Sequence, residues 1–100
     1  MTWGRLEAQY SPAFVRDAKR LRKKHIDDTV LAGVIDLMVR NTPEALGQLR
    51  CRHRMHTLAG NWAGSNECHV ANTDDWLLIW TSDDKVTLME RTGTHDELFR

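Results

Sequence analysis

The chain has 100 residues, of which 41% are hydrophobic and 28% charged, a composition typical of one globular domain spanning residues 1–100. Its 14 basic and 14 acidic residues give a formal net charge of zero, yet residues 1–56 carry 11 basic and 6 acidic residues and residues 57–100 carry 3 and 8. No window approaches the roughly 18 to 20 apolar residues of a membrane span, the first residues lack a secretion signal, and two cysteines are too few for a disulfide framework. These features argue against a membrane or disulfide-rich secreted protein, and we expect a cytoplasmic protein with free thiols.

The first predicted elements are a short strand and a basic helix. Apolar and polar residues alternate from Leu6 to Tyr10, which is the period of a strand with one buried face. Ser11 followed by Pro12 is typical of a helix start, because serine can accept a bond from a free amide and proline has no amide to leave unpaired. We therefore predict a helix from about Pro12 to about His25, with an exposed side rich in Lys and Arg.

A second helix follows at once. Asp27 or Asp28 can cap its start, and its apolar residues form a wider stripe than those of the first helix. Pro43 disfavours helical geometry in the preceding residue, so the helix should end near Asn41. The short connection predicts that the two helices pack as an antiparallel pair.

From Arg50 onwards, short segments alternate with Gly-rich and Asn/Asp-rich turns, a pattern typical of an antiparallel meander. The predicted strands are approximately residues 54–58, 67–71, 76–81 and 85–91. The third begins with an uninterrupted apolar run and should be central, and residues 94–99 can add one helical turn. The predicted fold class is α+β, with an antiparallel sheet of four to five strands packed against an N-terminal helix pair.

Four of the five histidines lie in the second half of the chain, namely His53, His56, His69 and His95. Histidine is well suited to donate and accept protons near neutral pH. The last three are predicted near a strand start, within a strand and after the last strand, positions that a small sheet brings together. The pattern favours a proton-transfer site, and the alternative is a set of half-buried sheet residues.

The segment from Arg50 to His56 carries alternating basic residues. If it is extended, Arg50, Arg52, Arg54 and His56 lie on one side, where guanidinium groups could bind phosphate oxygens. The alternative is a solvated edge strand whose charges prevent aggregation. The arginines would repel a divalent ion, and the cysteine spacing lacks a zinc-knuckle pattern, so we expect neither a metal nor a cofactor.

Several motifs of the second half form one specific pattern. They are His56-x-Leu58-x-Gly60-x-Trp62-x-Gly64, Glu67-x-His69-Val70, Asp75-Trp76-x-Leu78-Ile79, and Glu90-Arg91-Thr92-Gly93-Thr94-His95 followed by Leu98-Phe99. With this pattern the chain resembles the YafQ-type mRNA interferase toxins of the RelE/ParE superfamily, the toxic halves of bacterial type II toxin–antitoxin pairs. The first half agrees more loosely, through its opening strand and basic helix pair.

The resemblance implies a ribosome-dependent endoribonuclease that cleaves mRNA in the A site by metal-independent acid–base catalysis. The catalytic residues that it implies are His56, His69, Asp75 and His95. The substrate-binding candidates are Phe99, Arg91, Arg50, Arg52 and Arg54. We expect His95 to be the general acid, with the other three sharing base and orienting roles, although Asp74 competes with Asp75 for the carboxylate role.

The resemblance also implies the partners. They are a RelB/DinJ-like antitoxin in a higher-order hetero-oligomer, the ribosome and its mRNA, with operator DNA reached only through the antitoxin and no membrane contact. The alternative function is a gyrase-directed ParE-like toxin or a non-catalytic binding module of the same fold. The histidine cluster favours cleavage, because such a binding module has no need for it.

Overall fold

The computed structural model describes residues 3–71 and 75–99. The elements of these two ranges follow in the order β1 (Glu7–Tyr10), α1 (Pro12–Lys23), α2 (Asp28–Arg40), α3 (Pro43–Arg52), β2 (His56–Thr57), a 3-10 turn (Gly60–Trp62), β3 (Asn66–His69), β4 (Leu77–Ser82), β5 (Val86–Gly93) and α4 (His95–Leu98). The predicted α+β class is confirmed. Within the same two ranges, every helix is too short or too polar to cross a membrane.

The five strands form one sheet in the order β1-β5-β4-β3-β2, so β4 is central, as predicted. The prediction of a purely antiparallel sheet is wrong, because β1 pairs in parallel with β5 and the sheet is mixed. A parallel pair needs a long connection, and here the whole helical region and three strands lie between the two partners. The alternation of Leu6 to Tyr10 predicts a strand but carries no information on its direction.

The two predicted helices are present with nearly the predicted bounds. The Ser11 hydroxyl accepts a hydrogen bond from the Phe14 amide at 3.0 Å and Pro12 is the first helical residue. The helix ends at Lys23, two residues before the predicted end, and His25 adopts a left-handed φ of 61° outside it. Asp27 caps α2, and Asn41 ends it.

The third helix, α3, corrects the prediction of an extended segment from Arg50 to His56. Thr42 caps it by accepting a bond from the Ala45 amide at 3.1 Å, and Pro43 is its first residue. Helical residues two positions apart are rotated by about 200°, so Arg50 and Arg52 point to different sides and the predicted row of basic residues does not form. The same cap-and-proline pattern that predicts α1 was present here at residues 42–43.

The sheet separates two apolar clusters. The face toward α1, α2 and α3 carries the main core, which includes Cys68, Leu78, Trp80 and Met89. The opposite face carries a smaller cluster formed by Leu77, Ile79 and Leu98, with Leu58 and Trp62 packed against it. Register pairs Glu67 with Ile79 and His69 with Leu77, so the strand positions of Glu67 and His69 belong to this second face. The candidate site lies there.

Candidate active site

The centre of the candidate site is a contact between His95 and Asp75. One residue separates His95, the start of α4, from the end of β5, and Asp75 lies two residues before Leu77, the first residue of β4, which pairs with Gly93 of β5. His95 Nδ1 lies 2.6 Å from Asp75 Oδ1, and the His95 backbone N–H also faces this carboxylate, with N–O distances of 3.2 Å to Oδ1 and 3.3 Å to Oδ2. Both side chains are exposed, with 56% and 51% of their surface accessible.

The Asp75 carboxylate is held in its charged form. Partial desolvation raises the pKa of Asp75, but the hydrogen bonds from the His95 side chain and backbone, with the nearby charges of His95 and His69, outweigh it and lower the pKa below its usual value. A charged carboxylate accepts only, so Nδ1 is the nitrogen that carries the proton. The Nε2 atom of His95 is thereby left to exchange a proton with a substrate.

The rings of His69 and Phe99 lie close to the His95 ring. The His69 and His95 ring centroids are 6.3 Å apart, and those of His95 and Phe99 are 6.1 Å apart. Phe99 also meets Trp62 edge to face at 6.3 Å, yet 42% of Phe99 remains exposed. Phe99 therefore packs against Trp62 of the small apolar cluster and still presents ring surface beside His95.

His56 lies elsewhere on the sheet, opposite Glu67 in the pairing of β2 with β3. Its Nδ1 is 2.9 Å from the Arg54 carbonyl oxygen, and its Nε2 is 3.4 Å from Glu67 Oε1. Glu67 is only 4% exposed, so a buried carboxylate supports this histidine. The site prediction omitted Glu67, although its alternation with His69 along one strand places both on one face.

His53 has a structural role. Its Nδ1 lies 2.8 Å from the His69 carbonyl oxygen, and the His69 amide donates to the His53 carbonyl at 2.7 Å. These two bonds attach the end of α3 to β3. Of the four histidines in the second half of the chain, His53 thus joins two elements, His69 and His95 lie side by side at the candidate site, and His56 lies apart from them beside Glu67.

Arg91 is bound to a buried carboxylate. Its Nε and Nη2 donate to Asp17 at 2.7 and 3.1 Å, and the Thr92 amide donates to Asp17 Oδ2 at 3.1 Å. Desolvation raises the pKa of Asp17, but the hydrogen bonds from Arg91, Thr92 and Arg20 more than offset it, so the pKa is lowered. Two of the three guanidinium nitrogens of Arg91 are therefore already engaged within the protein.

The other candidates are dispersed. Arg50 and Arg52 are exposed on α3, whereas Arg54 lies two residues before β2 and adopts a left-handed φ of 53°. Asp74, the competing carboxylate, lies outside the described residues. Across residues 3–71 and 75–99, no three His, Cys, Asp or Glu side chains are grouped so that they could hold a metal ion.

The two cysteines are free thiols, as expected. Cys51 is exposed on α3, and Cys68 is buried. Burial, with the adjacent charge of Glu67, raises the pKa of the Cys68 thiol to about 12. Cys68 therefore stays an inert thiol in the core on the helix side.

Comparisons with known proteins give the family of this sequence and fold. A family model described as a bacterial toxin of type II toxin–antitoxin systems, YafQ, matches residues 6–100. The protein named mRNA interferase toxin YafQ of Escherichia coli strain K12 is 36% identical over 93 residues, which cover 93% of this chain and 95% of that protein. The crystal structure of YafQ from E. coli strain BL21(DE3) is 34% identical and superposes with a TM-score of 0.82 over 95% of this chain and 99% of the other.

The structure of a toxin–antitoxin complex also matches this chain. The crystal structure of the E. coli DinJ–YafQ complex matches with a TM-score of 0.81 and 34% identity, over 96% of this chain and 99% of the matched chain. The fold and the matched sequence are thus those of a type II toxin–antitoxin toxin. Within that class, the chain belongs to the YafQ toxin family.

Proposed function

We propose that this chain is a ribosome-dependent endoribonuclease that cleaves translated mRNA in the ribosomal A site and stops translation until a cognate antitoxin binds it. The name mRNA interferase toxin, borne by its curated relatives, supports the ribonuclease activity. The contact between His95 Nδ1 and Asp75 Oδ1 at 2.6 Å, beside the exposed ring of Phe99, carries the mechanistic part of the proposal.

Metal-independent cleavage of RNA removes one proton from the 2′-hydroxyl and adds one proton to the leaving 5′-oxygen. A base removes the proton of the 2′-hydroxyl, the 2′-oxygen attacks phosphorus, and the bond from phosphorus to the 5′-oxygen breaks as an acid protonates that oxygen. The products are a 2′,3′-cyclic phosphate and a 5′-hydroxyl end. The protein must therefore supply a base, an acid and a cation for the phosphoryl oxygens.

His95 is the proposed acid. As an imidazolium it donates from Nε2, and Asp75 stabilises the positive charge while holding Nδ1 in place. The exposure of the pair lets a ribosome-bound strand approach from solvent. Phe99 gives a ring on which a base next to the cleaved bond can stack.

His69 and His56 are the proposed sources of base function. The His69 ring is 6.3 Å from that of His95, a separation suited to groups acting on opposite sides of one phosphate. His56 lies beside the buried Glu67, whose carboxylate can orient the imidazole. Asp75 shares the orienting role through His95.

The cations are proposed to act at the edge of this site. Arg54 lies two residues before His56, the first residue of β2, and its carbonyl oxygen already contacts that ring. Nε and Nη2 of Arg91 donate to Asp17, and its third nitrogen, Nη1, is the one proposed to bind a phosphate oxygen. Arg50 and Arg52 on α3 can contribute only from separate directions.

Ribosome dependence is supported by the charge distribution. A protein with a net charge of zero attracts free RNA only weakly. The ribosome, which holds the mRNA strand in place, would therefore bring the substrate to the toxin. A ribosomal substrate also implies action in the cytoplasm. The basic α1 helix offers a surface for an acidic or amphipathic antitoxin segment, and operator DNA would be reached only through that antitoxin in a larger assembly.

Induced expression tests the proposal. The wild-type chain and the variant His95→Ala are expressed without antitoxin, and a translated message is mapped by primer extension. We expect cuts within the reading frame for the wild type and none for the variant. DNA-damage signalling without mRNA cuts would contradict the proposal and favour a gyrase-directed toxin.

A further inference from the structure

The helix that carries His95 cannot form on its own. It spans four residues, His95–Leu98, and so short a helix has no independent stability in water. A reciprocal cap holds its start, because the Thr94 amide donates to Glu97 Oε1 at 2.9 Å and the Glu97 amide donates to the Thr94 hydroxyl at 3.2 Å. Glu97 therefore maintains the turn from which His95 projects.

The second oxygen of Glu97 attaches this turn to α1. Arg20 Nε lies 2.8 Å from Glu97 Oε2, and Lys24 Nζ lies 3.8 Å from the same oxygen. The Arg20 contact is an ion pair rather than a hydrogen bond, because Nε has no hydrogen-bond partner among the described residues. Hydrogen bonding to the Thr94 amide and the charges of Arg20 and Lys24 outweigh partial burial, so the pKa of Glu97 is lowered and its carboxylate stays charged.

Arg20 is itself fixed at its other end. Its Nη1 donates to Oδ1 of the buried Asp17 at 3.0 Å, and its Nη2 lies 3.5 Å from the Thr92 carbonyl oxygen. A Cβ on Gly93 would lie 2.8 Å from Glu97 Oε1 and 3.0 Å from Arg20 Nη2. Because Gly93 has no side chain, Arg20 and Glu97 can pair directly beside the last residue of β5.

We propose that Glu97 and Arg20 are positioning residues for His95, Glu97 by holding the α4 turn and Arg20 by anchoring Glu97 to α1. Among the described residues, neither side chain forms a hydrogen bond or ion pair with the Asp75 carboxylate, so both act through the placement of the His95 backbone and ring. The kinetic part of the inference rests on the proposed ribonuclease function. Its spectroscopic part does not.

The kinetic test uses two substitutions of Glu97. Glu97→Ala removes the ion pair and the side-chain half of the cap, the bond from the Thr94 amide, and we expect kcat on ribosome-bound mRNA to fall by about 10- to 100-fold with little change in KM. Glu97→Gln keeps an oxygen acceptor for the Thr94 amide but removes the charge seen by Arg20, so we expect a smaller fall of about 3- to 5-fold. Asp36→Asn and Arg40→Gln break an exposed ion pair on α2 and serve as matched controls with wild-type rates.

A double-mutant cycle isolates the pair. Arg20→Gln is introduced into the wild type and into the Glu97→Gln variant, and the fall in kcat is measured in each. If Arg20 acts through Glu97, the fall in the Glu97→Gln variant is smaller than the fall in the wild type. Fully additive losses would contradict this route. Thermal unfolding of each variant is measured alongside, and Glu97→Gln, which retains the cap, remains informative if Glu97→Ala is poorly folded.

The spectroscopic readout is the nitrogen NMR signal of the His95 ring in the free protein. We expect the wild type and both controls to carry the neutral-state proton on Nδ1, and Glu97→Ala to shift the ring toward a mixture of both tautomers. A wild-type ring signal together with a wild-type kcat in Glu97→Ala would overturn the inference. If the wild type cleaves no RNA, the proposed function fails, and the ring signal alone still decides whether Glu97 positions His95.

Discussion

His95 meets the Asp75 carboxylate twice, through its ring Nδ1, 2.6 Å from Oδ1, and through its backbone N–H. The second contact fixes the start of α4 relative to β4, and the first fixes the ring on that backbone. A single carboxylate thus controls both the position and the tautomer of the proposed acid. Loss of this carboxylate should therefore reduce catalysis even though Asp75 itself transfers no proton to the RNA.

The variant Asp75→Asn tests this relationship. An amide in place of the carboxylate no longer stabilises the imidazolium and can support the wrong tautomer, so we expect the cleavage rate to fall by about 100-fold. Single-turnover cleavage on programmed ribosomes measures the effect. Asp96→Asn removes an exposed carboxylate one residue after His95 and should retain the wild-type rate. Equal losses in the two variants would contradict a specific role for Asp75.

The 2′-hydroxyl requirement can be tested on the substrate. An mRNA with a single 2′-deoxy nucleotide at the cleaved position lacks the attacking oxygen, so we expect no cleavage there while ribosome binding of the toxin is unchanged. A deoxy substitution several nucleotides away is the control and should be cleaved normally. Cleavage at the deoxy position would require water as the nucleophile and would contradict the mechanism.

Phe99 provides a test of substrate binding. Removal of its ring in Phe99→Ala should weaken binding by about 1 to 3 kcal/mol, which raises KM more than it lowers kcat. Phe99→Trp retains a stacking surface and should recover much of the affinity. Val15→Ala, which truncates an exposed apolar side chain on α1, is the control. An unchanged KM in Phe99→Ala would show that the ring does not contact the RNA.

Asp17 offers a prediction about stability rather than catalysis. Asp17→Asn leaves Arg91 and the Thr92 amide without a charged acceptor, and we expect unfolding free energy to fall by about 2 to 4 kcal/mol. Because the pKa of folded Asp17 lies below its usual value of 3.8, its contribution is complete above that pH and is lost as pH falls through the folded pKa. Denaturant unfolding at pH 7 and at pH 3 should therefore show a smaller pH dependence in the variant than in the wild type. An equal pH dependence would contradict the assignment.

Local patterns predicted much of this fold. Ser11-Pro12 and Asp27 gave the starts of α1 and α2, because capping is a short-range interaction that a few residues determine. Thr42-Pro43 has the same pattern and starts α3, but the alternating basic residues from Arg50 favour a strand, so local patterns alone conflict in this segment. The parallel pairing of β1 could not be predicted, because it depends on packing between the two ends of the chain.

The site was predictable in composition but not in arrangement. The motif around His95 identified the residues, whereas the support of His56 by Glu67 and the anchoring of Arg91 by Asp17 are contacts between distant parts of the chain. Neither follows from residue spacing. The role of Glu97 likewise depends on Arg20, 77 positions earlier in the sequence, which only the folded structure brings near.

The most direct test of the central claim replaces the leaving 5′-oxygen of the mRNA with sulfur. A thiolate leaves without protonation, so a variant that lacks the general acid should be rescued on this substrate. We predict that His95→Ala is slower than the wild type by about 100-fold or more on the oxygen substrate and nearly equal to it on the sulfur substrate. The same loss on both substrates would contradict the assignment of His95 as the general acid.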